Sequence, residues 1–116
     1  MFVLSTHTGK QIQMEWGTYA MHIYCEKRGI DLKGFAEEIS NLQFSIPVMV
    51  GILQSAVQAA KQPEPSFDEV CSWIDECGGL LAQSGPLHDF ANYIIKRTVV
   101  QTSDPVTEEK KSELSA

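Results

Sequence analysis

A mainly α-helical fold, a small bundle of about five helices preceded by a short N-terminal β-hairpin, is predicted by three features of this sequence. Apolar residues recur at the helical period in five stretches between Glu15 and Val100. Gly or Pro stands at most of the breaks between those stretches, and Ser or Asp stands where several of them begin. Ahead of Glu15 the pattern changes to short β-like pieces, Phe2-Val-Leu and Gln11-Ile-Gln-Met, on either side of a turn at Thr8-Gly9-Lys10.

The first helix is expected from Glu15 to Arg28, with Trp16, Tyr19, Ala20 and Ile23 on one face and Gly29 placed to end it. His22 lies near the rim of that face, and no second His or Cys follows at metal-binding spacing. Asp31 caps a second helix, Leu32 to Leu42, with a stripe of Leu32, Phe35, Ala36, Ile39 and Leu42. Glu37 and Glu38 invite an acid/base reading. Adjacent helical residues diverge by about 100°, however, so a solvated face explains the pair better.

The third stretch, Ser45 to Lys61, is the expected organiser. Met49, Val50, Ile52, Leu53, Ala56, Val57 and Ala60 fill a wide apolar arc, leaving Gln54, Ser55 and Gln58 a narrow polar one, so this helix must be covered on two sides. Ser45 suits its N-cap, Pro47 its first turn and Lys61 its C-terminal dipole. Gln62-Pro63-Glu64-Pro65 then forms a stiff linker.

Ser66-Phe67-Asp68-Glu69 matches a capping box and opens a fourth helix to Cys77. Phe67, Val70, Cys71, Ile74 and Cys77 take its apolar side and Trp73 its edge. Gly78-Gly79 ends it, and Leu80 to Gln83 adds a loose turn. A fifth helix starts at Ser84-Gly85-Pro86 and runs to about Thr98 or Val100, burying Leu87, Phe90, Ala91, Ile94 and Ile95. Residues 1–100 thus read as a single helical domain. Residues 101–116, with no aromatic and few apolar side chains, read as a disordered tail.

Composition narrows the function classes. The chain has 116 residues and a net charge of -6, with 15 acidic against 9 basic residues and no basic cluster interleaved with aromatics, which disfavours nucleic-acid binding. The longest apolar run, Ile46 to Leu53, is far short of the roughly 20 residues that span a bilayer, and the first residues lack the pattern of a signal peptide. No membrane association and a cytoplasmic location are the expectation. Three cysteines, Cys25, Cys71 and Cys77, are odd in number and form no CxxC, so free thiols are expected.

Catalytic, cofactor and metal signatures are weak throughout. Asp68, Glu69, Asp75 and Glu76 cluster, but the DxDxDG calcium loop is absent and Glu69 is explained by capping. Cys71 and Cys77 have acidic neighbours, which raise a thiol pKa. GxxxxGK[ST], GxGxxG, GxSxG and HExxH do not occur. No enzyme activity and no cofactor are expected, although an enzyme subunit with a site shared between chains remains an alternative. Phe44, Met49, Trp73, Leu80 and Leu81 pose a different question. Such residues ordinarily fill the core of a small helical domain, and at the edge of an apolar stripe they also line grooves for a partner.

A specific resemblance rests on residues already quoted. The Gly29 to Ile39 helix, the apolar helix and Pro linker, and above all Ser66, Glu69, Val70, Trp73, Ile74, Asp75 and Glu76, resemble the tail assembly chaperones of long-tailed phages, prophages and gene transfer agents. Their corresponding segment commonly reads p-(S/T)-x-E-E-V-x-x-W-I-D-E, and the likeness spans about residues 4–100. Asp68 and Cys71 show ordinary variation within it. The resemblance implies a non-enzymatic helical protein of the bacterial host cytoplasm that binds the tape measure protein and helps recruit tail tube subunits. It also implies absence from the finished virion and, in many members, a longer frameshifted form. The family supplies no catalytic residues. A small regulatory or adaptor protein binding a host protein is the alternative.

Overall fold

Residues 1–98 are described by the structure, a computed structural model. An antiparallel hairpin, β1 (Phe2–Ser5) and β2 (Gln11–Met14), is followed by α1 (Thr18–Arg28), α2 (Leu32–Ile39), a 3-10 turn (Leu42–Phe44), α3 (Ile46–Ala59), α4 (Phe67–Glu76) and α5 (Pro86–Thr98). The expected mainly α class and the N-terminal hairpin are both present. The tail expected from Gln101, and any extension of α5 to Val100, lie outside the described residues.

α3 is the centre. Ser45 caps it by accepting from Val48 N–H, Pro47 sits in the first turn, and nine of its fourteen residues are buried, so little of its circumference is left to water. Fully buried Ile52 and Leu53 each contribute about 1.5–3 kcal/mol by leaving water. Ser55 corrects the expected polar arc. It is fully buried, and its hydroxyl is satisfied by donating to the Gly51 carbonyl at 2.8 Å. The true polar edge is Gln54 and Gln58, and both are used as anchors. Gln54 Nε2 donates to the Pro65 carbonyl and Gln58 Oε1 accepts from Lys27 Nζ. The Pro63–Pro65 linker is thereby held against α3.

Around α3 the other elements pack by identifiable contacts. α1 crosses at Gly51, where a Cβ would stand 2.9 Å from the Tyr24 ring. Trp16 ends up buried but ahead of the helix, which begins at Thr18. Because Trp16 no longer sets the phase, Ala20 and Tyr24 face inward, while Tyr19 is exposed beneath Lys61 and Ile23 is half-buried. α2 stops at Ile39, three residues short of expectation, and the 3-10 turn carries Leu42 into the core. Its inward anchor is Phe35, packed on Trp16 and Tyr24 at ring separations of 6.0 and 5.7 Å; Leu32 and Ala36 point outward.

The hairpin is paired Phe2 with Met14 and Leu4 with Ile12, so these four share the inner face. Met14 leads to Glu15, whose N–H donates to the Ala56 carbonyl of α3 at 3.0 Å. α5 lies across β1, with the Phe2 ring 5.4 Å from Phe90 and 5.3 Å from Tyr93. Its far end is tied to the α1 entry, where Trp16 Nε1 donates to Thr98 Oγ1 at 2.8 Å. Leu87, Phe90, Ala91 and Ile94 are buried as expected, whereas Ile95 is largely exposed.

Candidate functional site

The five residues singled out from the sequence fall in different places. Met49 is 0% and Trp73 5% exposed, so both belong to the core and neither lines a surface groove. Phe44 at 77% and Leu81 at 63% stand in solvent, and Leu80 is half-buried. The reason for the Trp73 correction lies in the roll of α4. Its buried side is Val70, Trp73, Ile74 and Cys77, which moves Trp73 from the edge to the centre and Phe67 from the core to the surface.

Two devices fix that roll. Ser66 caps α4 by accepting from Glu69 N–H at 3.1 Å, which sets where the helix starts. At the other end Glu76 is bound to the hairpin loop. Its Oε1 accepts from Thr8 Oγ1 at 2.7 Å, its Oε2 from Lys10 Nζ at 3.3 Å, and its backbone carbonyl from His7 N–H at 3.1 Å. The Thr8 hydroxyl, then Thr6 and Lys10, hold the Glu76 carboxyl well below the usual range, at about 2. Local periodicity carries no trace of this contact, because Thr8 lies 68 residues away in sequence.

A cleft of about 120 Å³ opens between the start of α3 and α4, lined by Ile46, Cys71, Ile74, Asp75 and Leu80. The loop after α4 closes one end. Gly78 and Gly79 adopt φ of 100° and 96°, which a side chain disfavours, and they turn the chain back so that Leu80 reaches the cleft. Gln43 Nε2 donates to the Ala82 carbonyl at 3.4 Å, fastening the 3-10 turn that carries Phe44 to the loop that carries Leu81. The sequence reading missed Ile46 and Phe67, both exposed. A usable signal existed: each is the first helical residue after its Ser cap, at the margin of its helix's apolar arc.

The charge around this cleft is one-sided. Residues 34–60 and 62–95 contain no Lys or Arg. Asp75 lines the cleft, Asp68 lies two helical turns before it on α4, and neither has an ion-pair partner among the described residues. The ion pairs sit elsewhere: Lys10 with Glu76, Lys27 with Glu64, Arg28 with Glu38, and the N-terminus with Glu15. Glu38, expected in solvent, is in fact half-buried and accepts from Arg28 and from Tyr24 Oη. The Arg28 hydrogen bonds lower the Glu38 pKa, and burial, followed by the Glu38 bond, raises that of Tyr24.

A second depression of about 510 Å³ runs along α1 and the α1–α2 connection, lined by Thr18, Met21, His22, Cys25, Ile30 and Leu32 among others. All three cysteines are free thiols. Burial pushes the Cys77 thiol up, and burial with Asp31 nearby does the same for Cys25, which disfavours the thiolate a nucleophile needs. No group of three His, Cys, Asp or Glu that could hold a metal occurs among the described residues. Nor is any helix among them long and apolar enough to cross a membrane.

Fold and surface together define a small mainly helical protein with an acid-rimmed apolar cleft beside α4. Comparison with family models, with curated proteins and with solved structures gives no match to this chain.

Proposed function

We propose that this chain is an assembly chaperone for a phage or prophage tail, which binds the tape measure protein and assists tail tube assembly in the bacterial host cytoplasm without bond chemistry. One observation carries the reading. The segment from Ser66 to Glu76, on which the resemblance rests, is a capped helix whose Val70, Trp73 and Ile74 hold it to the core while Cys71 and Asp75 line an apolar cleft. Such an arrangement suits a chaperone for long amphipathic helices. Exposed apolar side chains cover the client's apolar stripe, and a net charge of -6 keeps the pair dispersed.

The test is co-expression with the tape measure protein encoded beside this chain's gene. Increased solubility of that protein and a co-purifying complex are expected. An insoluble tape measure protein with no complex would overturn the proposal.

A further inference from the structure

The apolar cleft has a definable occupant. We propose that the cleft between the start of α3, α4 and the loop after α4 receives a cationic amphipathic helix of another polypeptide, laid along α4 with its Lys/Arg flank against Asp68 and Asp75. This rests on the preceding reading only in that the chain binds a polypeptide; the phage origin plays no part.

Three observations converge. Phe67 and Cys71 follow each other at i, i+4 along the exposed margin of α4, with Ile46 and Leu80 across the cleft, which is the ridge spacing that a second helix meshes with. Asp68 and Asp75 run beside that ridge, and neither is ion-paired among the described residues. The third observation removes the other occupants. A second copy would bring one acidic α4 against another. The chain's own residues 99–116 carry four acids and two lysines, and an anionic lipid surface would be repelled.

The full chain is titrated with three peptides: a Lys/Leu helix with apolar residues at i, i+3, i+4 and i+7, a Glu/Leu helix with the same stripe, and a scrambled Lys/Leu sequence. Cys71 lines the cleft and reports occupancy through its alkylation rate, read by mass spectrometry. The Lys/Leu helix is expected to bind about tenfold tighter than either control and to slow Cys71 alkylation about fivefold. The double variant Asp68→Asn/Asp75→Asn, checked for an unchanged melting profile, should lose about five- to tenfold of that affinity and most of its salt dependence. Equal binding of the Glu/Leu helix, or unprotected Cys71 in the complex, overturns the cleft assignment. If the tape measure protein co-purifies with the double variant as well as with the parent, the cleft fails and the chaperone reading stands. If the Lys/Leu helix protects Cys71 but no tape measure complex forms, the cleft stands and the phage reading fails.

Discussion

Glu76 joins two parts of the chain that lie 66 residues apart in sequence at Lys10 and 68 at Thr8. Its carboxylate, at the last residue of α4, gives the hairpin loop, which has little apolar surface of its own, something to hold. The consequence is a pH dependence with a definite sign. In an unfolded chain a glutamate protonates near about 4.3, whereas in the fold the Thr8, Thr6 and Lys10 contacts depress Glu76 to about 2. Its contribution is therefore complete above the unfolded value and is lost as pH falls toward the folded one. Thermal melting of the wild type should decline more steeply between pH 5 and pH 2 than that of Glu76→Gln, and the two should converge at the acid end. Parallel curves would show that the carboxylate contributes nothing in its ionised form.

At the scale of elements, the crossing of α1 over α3 depends on a missing side chain. Gly51 lies in the interior of α3, where glycine costs about 1 kcal/mol relative to alanine in helix propensity alone. Propensity alone predicts that Gly51→Ala stabilises. The added Cβ, however, would stand 2.9 Å from Tyr24 Cε1, and that ring is buried, packed on Phe35 and held through its hydroxyl to Glu38. It has little room to retreat, and overpacking of this kind costs about 1–3 kcal/mol. Net destabilisation of about 1 kcal/mol is expected in urea unfolding, and a more stable variant would mean that α1 slides freely on α3. The same crossing explains why Tyr19 and Ile23 were misplaced by periodicity. Trp16 lies outside the helix, so the inward face follows Ala20 and Tyr24, the pair that meets α3.

For the molecule as a whole, α3 is flanked by α1, the hairpin and α4, while α5 closes over β1. Local opening that exposes α3 must therefore undo several packings at once. Amide exchange of Val50 to Val57 is expected only on global unfolding, with the 3-10 turn and the loop after α4 exchanging several orders of magnitude faster. Fast exchange in the middle of α3 would show that the bundle opens there first. Of the residues that line the proposed cleft, only Leu80 lies on the less protected loop after α4; the rest stand on α3 and α4.

Within single elements, sequence by itself determined a great deal: the class, the hairpin, the Ser45, Ser66 and Asp31 caps, the central place of α3, and the free thiols. These follow from side-chain period, cap chemistry and turn residues, all of which act over a few positions. Only tertiary structure decided how each helix is rolled about its axis. That roll put Trp73 inside and left Phe67 out, and it turned Ser55 and Glu38 toward partners rather than water. A wide apolar arc tolerates rotations of a residue's width at small cost, so the choice falls to contacts between distant segments, such as Glu76 with Thr8 and Gly51 with Tyr24, which no local pattern encodes.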